Sequence, residues 1–297
     1  MLILKIMPIF VGDYQNIIIT HMKTIKIILA LVATLAATFS YGQNNDTPKT
    51  LVLFYSQTSN TKTVAQEIST RLGADMEELV LVKPYDGDFQ ATIGRCMDER
   101  KQGILPEIKP VAADIAKYDV IFIGYPIWFG TYAPPIEAFL NKVDLQGKKI
   151  VPFCTFGSGG LDSSVKELAE KQPKAQILPG YGVRAARMAA VPQEIDQFLK
   201  ANGFLKGEFF KPEAFPAPHE VSEAESAIFD AAVGDYPMIH AKAKTVASRT
   251  IPGGTEYLFT AVDLPREGNP NMPPAGEMQV YVTALEGAAP VFTQVVR

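Results

Sequence analysis

The sequence is poor in the residues that hold metals and carry nucleophilic chemistry. Its 297 residues include two cysteines, Cys96 and Cys154, and three histidines. Neither type recurs at the spacing of a metal site. No Cys-x-x-Cys pair or nucleophile triad is visible. GxxxxGK[ST], the signature of nucleotide-hydrolysing phosphate loops, is absent. Charged residues make up 20% of the chain with an acidic excess, and no basic cluster interrupts it. Nucleic acid is therefore excluded as a partner, because it requires a concentrated basic face. Long apolar runs are also missing. Ile27 to Phe39 falls short of the roughly 20 helical residues that cross a bilayer, and no span is expected in the mature chain.

That short apolar run has a different meaning. Met22 to Gly42 reads as a secretory signal peptide, with Lys23 and Lys26 as its basic start and Ile27 to Phe39 as its apolar centre. Ser40 and Gly42 are the small residues before a cut at Gln43. Met1 to His21 is then upstream sequence or a long basic region. The alternative is an uncleaved anchor. No cysteine lies near the cut, so a lipoprotein is not expected. The protein is thus expected to be exported, to the periplasm or beyond. Residues 1–42 hold three of the 28 basic and one of the 32 acidic residues, leaving 25 and 31 and a net charge of −6. Export permits a disulfide, but Cys154 ends the apolar run KKIVPFC and reads as a buried thiol.

From Lys49 to Gly203, apolar runs alternate with helical patterns. Thr50 to Tyr55 is nearly all apolar, as in a parallel strand covered on both faces. Val64, Ile68 and Leu72 mark a helix stopped by Gly73. Met76 to Val82 reads as a second strand, Phe89 to Lys101 as a helix, and Val120 to Gly124 as a third strand. Ile136, Phe139, Leu140 and Val143 share one helix face. Lys149 to Cys154 is a fourth strand. Ser164 and Glu167 form a capping-box signal for the next helix, and Gln176 to Leu178 is a short fifth strand. Pro192 opens a last helix that Gly203 ends. Five strands alternating with helices predict a doubly wound parallel sheet, an α/β fold.

Pro212, Pro216 and Pro218 mark 207–220 as a linker. Beyond it the pattern changes. Ser222 to Glu225 is a second capping-box signal, opening a helix through about Tyr236. Four strands are expected at Ala243 to Ile251, Thr255 to Val262, Gln279 to Leu285 and Val291 to Val296. Gly253-Gly254 suggests a tight hairpin between the first two. Asn269 to Gly276, with three prolines, is a loop. Residues 221–297 therefore predict a small α+β module.

Three segments could carry chemistry, each after a strand. In an open parallel sheet, ligands bind at the carboxyl ends of the strands. Ser56, Gln57, Thr58, Ser59, Asn60 and Thr61 link the first strand to its helix. Helix N-terminal amides and short hydroxyl or amide side chains there suit a phosphate, though an ordinary helix cap explains them nearly as well. Gly124 to Thr131 follows the third strand and includes Pro126, Ile127, Phe129, Gly130 and Trp128, the one tryptophan of the chain. A planar indole there could stack on a flat ring or could belong to the core. Thr155, Phe156, Gly157, Ser158, Gly159 and Gly160 follow the fourth strand, and the glycines let backbone approach a ligand.

LFYSQTSNTKTVA resembles the flavodoxin signature, in which a Thr/Ser-x-Thr-Gly-x-Thr loop binds the phosphate of FMN. Ser56, Thr58, Asn60 and Thr61 match it. Ser59 stands where the family usually has Gly, a replacement expected to fit if its backbone does not need positive φ. The Trp128 segment resembles the loop that wraps the flavin ring in a G-x-P-x-W subgroup, and Thr155 to Gly160 resembles the third flavin loop. The resemblance covers about residues 49–203. It implies a flavodoxin-like five-stranded sheet of order 2-1-3-4-5, with FMN held noncovalently. It names no catalytic acid or base; Tyr125, Tyr132 and Arg187 are candidate neighbours of the flavin. Residues 221–297 resemble the cystatin layout of one helix on a curled antiparallel sheet. The inhibitory Gln-x-Val-x-Gly hairpin aligns with Arg249 to Gly253, where Arg249 replaces the Gln and Pro252 stiffens the turn.

Two functional readings follow. In the first, this is an exported FMN-binding redox protein, either an electron carrier or a reductase, acting with a redox partner protein or a small quinone-like acceptor. In the second, the flavodoxin-like fold has lost FMN, and the cystatin-like module is the working part of a binding protein. Protease inhibition is disfavoured by Arg249 and Pro252.

Overall fold

Each central strand of the first sheet is apolar on both faces, and helices cover both. The computed structural model describes residues 48–86, 88–234, 236–264 and 276–297; the expected signal peptide, and the loop expected at 269–276 apart from Gly276, lie outside them. The first sheet contains β1 (Thr50–Phe54), β2 (Asp75–Glu78), β3 (Val120–Trp128) and β5 (Lys149–Phe156). Their spatial order is β2-β1-β3-β5, with parallel pairing throughout. Two short strands, β6 (Gln176–Ile177) and β7 (Tyr181–Arg184), both pair with β5, one near each end. β4 (Thr131–Tyr132) folds back on the end of β3 as a hairpin.

Helices α1 (Asn60–Leu72) and α5 (Val191–Ala201) pack on one face, where Val64, Ile68, Ile195 and Leu199 meet Val52, Phe54, Phe122 and Phe153. The opposite face receives side chains from α2 (Phe89–Gln102), α3 (Pro134–Leu140) and α4 (Leu161–Lys171). Gly73 ends α1 at φ 60°, a left-handed value that suits glycine. Gly124 lies between the aligned residues Phe54 and Phe153. A Cβ on Gly124 would sit 2.0 Å from the Phe153 ring, so the ring fills the space that glycine leaves.

The structure corrects several local expectations. β2 stops at Glu78 rather than running to Val82; beyond it, Leu81 makes only an isolated antiparallel bridge to Ile108. Ser164 does not cap α4. That helix starts three residues earlier, after left-handed Gly160, and the buried Ser164 hydroxyl lies 2.8 Å from the Leu161 carbonyl within it. The motif at Ser164-Glu167 is therefore a helix-interior Ser followed by a Glu, a pattern that spacing alone cannot tell from a capping box. β7 was not anticipated, because a four-residue strand carrying Gly182 and Arg184 lacks an apolar run.

The second sheet is antiparallel. Its order is β12 (Val291–Val296), β11 (Glu277–Leu285), β10 (Gly254–Asp263), β9 (Ala241–Ile251) and β8 (His219–Glu220). The last two residues of the expected linker thus form its edge strand. Helix α6 (Glu223–Val233) lies on one face, with Phe229 and Val233 packed against Val246, Phe259, Val280 and Phe292. Ser222 and Glu225 form the complete capping box read from the sequence. Arg249 bonds Glu256 at 2.7 Å and the Glu213 carbonyl at 2.7 Å, and covers the Phe215 ring at 4.1 Å. It ties the proline-rich stretch to the sheet.

Gly124→Ala should force the Phe153 ring out of place. A loss of about 1–3 kcal/mol, the usual cost of overpacking a tight core, is expected as a lower urea midpoint with unchanged slope. An unchanged midpoint would show that the ring relaxes freely.

Candidate functional site

The parallel register of β1, β3 and β5 carries their following loops to one edge of the sheet. A cavity of about 1010 Å³ opens there, at the upper end of the roughly 300–1,000 Å³ usual for small-ligand sites. Gln57 and Thr58 of the first loop line it, as do Pro126, Ile127 and Trp128 at the end of β3 and Phe129 and Gly130 of the turn after it. Phe156 at the end of β5 and Gly157, Ser158, Gly159 and Gly160 of the loop after it complete that group; β3 and β5 run past the expected ends at Gly124 and Cys154.

The first loop has the form of an anion cradle. Ser59 precedes α1 with φ 68° and ψ −7°, the left-handed conformation. The condition for an unstrained replacement, a backbone without positive φ, is not met: the loop keeps the glycine-type backbone although its residue has changed. Serine reaches it at a cost because its Cβ crowds the backbone. Helix geometry leaves the Asn60 and Thr61 amides without intrahelical acceptors, at the positive end of the helix dipole. The Ser56 hydroxyl accepts from the Lys62 amide at 3.3 Å. Thr61 is buried, its hydroxyl 2.9 Å from that of Thr155, so the first turn of α1 is tied to the end of β5. Ser56, Ser59, Asn60, Thr61 and Thr155 support the loops without forming the cavity wall.

Trp128 is half-buried and belongs to a fixed aromatic cluster. Its ring meets Tyr85 at 5.2 Å and Tyr55 at 6.1 Å, both nearly perpendicular. Gln57 holds both tyrosines, accepting from the Tyr55 hydroxyl and donating to the Tyr85 carbonyl at 2.9 Å. The Tyr85 hydroxyl donates to Glu99 at 2.6 Å, and Arg95 covers its ring at 4.3 Å. Burial, and then the bond to Glu99, push the Tyr85 pKa well above its ordinary value. This phenol stays protonated and serves as a donor. Beyond Trp128, the β3–β4 turn uses left-handed Phe129 and Gly130. The Ser163 hydroxyl reaches the Gly130 carbonyl at 2.7 Å, and Thr131 bonds Glu167, so α4 anchors the turn. A Cβ on Gly160 would lie 2.7 Å from Ile127, so the second and third loops touch there.

Tyr125, Tyr132 and Arg187 do not line the cavity. Tyr125 is buried and bonded to Ser164, Tyr132 packs edge-on to Tyr125, and Arg187 pairs with Glu194 of α5. Tyr125 adjoins Pro126 in sequence and Tyr132 pairs with Ile127 in the sheet, but neither side chain reaches the cavity. Sequence reading also missed two walls. One is the face of α2, where Phe89, Thr92, Ile93 and Cys96 recur at i, i+3, i+4 and i+7, a helical signal that was present to be read. Cys96 is a free, buried thiol, as is Cys154. Burial, the larger effect, and then nearby Glu99 raise the Cys96 pKa, which keeps it unreactive. The other wall is Tyr236, Met238 and Gln294–Arg297 from the far end of the chain, for which no local signal exists. Among the described residues, no three His, Cys, Asp or Glu side chains gather as a metal site. No described helix is long and apolar enough to cross a membrane.

Residues 49–197 match the family described as flavodoxin. The chain belongs to the flavodoxin family. Solved structures similar to it include a flavoprotein from Bacteroides eggerthii DSM 20697, 28% identical, with a TM-score of 0.45 over 52% of this chain and 98% of that one. Another is a flavoprotein in complex with FMN from Lactobacillus acidophilus NCFM, 24% identical, TM-score 0.43, covering 50% of this chain and 97% of that one. Oxidised Flavodoxin 2 from Bacillus cereus is 18% identical, TM-score 0.33, covering 52% and 99%. Comparison with curated proteins finds no match. The flavodoxin match ends at residue 197, before the second sheet and the wall it lends to the cavity.

Ser59→Gly should relieve the left-handed strain. A gain of about 1 kcal/mol in unfolding free energy is expected, the strain released less the extra freedom of glycine in the unfolded chain. A loss of stability on denaturant titration would mean that the loop is not strained at this residue.

Proposed function

We propose that this protein is an exported, FMN-binding redox protein, supporting electron transfer or quinone-type reduction with a nicotinamide donor. The observation that carries the reading is one cavity on which three segments converge: Gln57 and Thr58, next to the N-terminus of α1, at one side, Trp128 at another, and a glycine-rich backbone at the third. The residues fit the group. The loop from Ser56 to Thr61 would hold the phosphate through first-turn amides and the dipole of α1. Pro126 to Gly130, with Trp128 pre-set by Tyr55 and Tyr85, would lie along the flat ring. Gly157 to Gly160 would offer backbone donors at its polar edge. FMN, when bound, supplies the redox chemistry. The chain's contribution is to bind and orient the group.

Loss of FMN, the competing reading, drew its support from Ser59. Ser59 adopts the left-handed backbone that glycine reaches more easily; the cavity and its lining favour the first reading. We read the C-terminal module as cystatin-like in layout and without inhibitory activity. Arg249, at the position of the family's Gln, is committed to Glu256, the Glu213 carbonyl and Phe215.

Purified protein is expected to carry or take up FMN and to quench its fluorescence. Protein that stays colourless and leaves FMN emission unchanged would sink the reading. Trp128→Ala should weaken FMN binding by about 1–2 kcal/mol, the stacking contribution plus lost burial; an unchanged dissociation constant would assign Trp128 to the core alone. For export, intact mass of the protein recovered outside the cytoplasm should give Gln43 as its first residue. A cytoplasmic chain that keeps its N-terminal 42 residues would overturn that part.

A further inference from the structure

We propose that the C-terminal module is part of the cofactor site: Tyr236, Met238 and Gln294–Arg297 close over bound FMN, and Arg184 clasps them to the third flavin loop. This rests on the FMN reading above. The six residues line the same cavity as Trp128 and Gly157–Gly160. Their attachment to that loop is direct. The Val295 amide donates to the Ser158 carbonyl at 2.7 Å. A Cβ on Gly159 would lie 2.2 Å from the Val295 carbonyl oxygen, and one on Gly157 would lie 2.6 Å from the Tyr236 hydroxyl. Glycine at both positions therefore admits the module as well as a ligand.

Arg184, at the end of β7 and 8% exposed, joins the two parts. Its guanidinium donates to the Gly157 carbonyl at 2.7 Å and to the Phe292 carbonyl at 2.9 Å. It also lies 3.3 Å from the centroid of the Phe292 ring and 5.2 Å from that of Tyr236. A buried cation that uses two separate carbonyls and two ring faces fixes the module at one distance from the loop. Large apolar side chains at the cavity are left open to solvent: Phe89 is 72% exposed, Phe129 48% and Met238 58%. Three such residues, from α2, the β3–β4 turn and the C-terminal module, mark a surface that a flat ring would cover. The module thus supplies a wall that residues 49–203 alone do not have.

Amide hydrogen exchange of the full chain, with and without saturating FMN, tests this. FMN should slow exchange in 56–61, 126–130 and 156–160, and by at least about threefold in 236–240 and 292–297. Met238→Ala combined with Arg297→Ala, both exposed, should raise the FMN dissociation constant about tenfold. Arg184→Ala should abolish protection of 292–297 while 56–61 stays protected, and Arg184→Lys, which can serve one carbonyl, should restore part of it. Protection confined to the first three segments, or an unchanged dissociation constant in the double variant, overturns the proposal and leaves FMN binding standing. Protein that takes up no FMN overturns both.

Discussion

Parallel pairing in register across β1, β3 and β5 is the constraint on which the rest of this structure depends. Phe54, Gly124 and Phe153 stand side by side in three neighbouring strands, so the chain leaves the sheet at one edge three times. Each exit brings a segment to that edge, where ligands of open parallel sheets bind. The glycine at the centre lets the Phe153 ring pack where a side chain would project. Local packing and site geometry are therefore set by the same residues.

The candidate site is braced by contacts within the fold itself. Tyr55, Tyr85 and Trp128 are locked by Gln57, Glu99 and Arg95, so the indole does not have to find its place on binding. Ordering a free side chain costs roughly 0.5–1.5 kcal/mol at an interface; a cluster already ordered by folding avoids that. Strain at Ser59 fits the same picture, since left-handed backbone persists where the surroundings over-determine it.

The α/β character of the first sheet and the antiparallel character of the second were legible because each rests on a short-range pattern. Apolar runs such as Leu51–Phe54 and the alternation in Met278–Val282 are visible within a few residues. Helix ends were legible where glycine or a capping box marked them, as at Gly73 and Ser222. The misreading at Ser164 shows the limit of such signals. A Ser and a Glu three apart occur inside helices too, and only the backbone distinguishes the cases. Of the site, the three loops could be read because each follows a strand. The wall from Tyr236 and Gln294–Arg297 could not, because it forms through contacts between residues more than 50 positions apart, such as Arg184 with Tyr236 and with Phe292.

Arg184 also says how this chain can be cut and recombined. Its guanidinium is desolvated, and burial holds its pKa below the ordinary arginine value. Remove everything after the proline-rich stretch, and this cation loses the Phe292 carbonyl and both rings, while the Ser158 carbonyl loses the Val295 amide. Stripping partners from a buried charge destabilises more than the lost contact suggests. The proline-rich stretch therefore looks like a seam in sequence but is not one in energy. Shuffling a foreign C-terminal module onto this scaffold would require it to bring a carbonyl and a ring to the same spot.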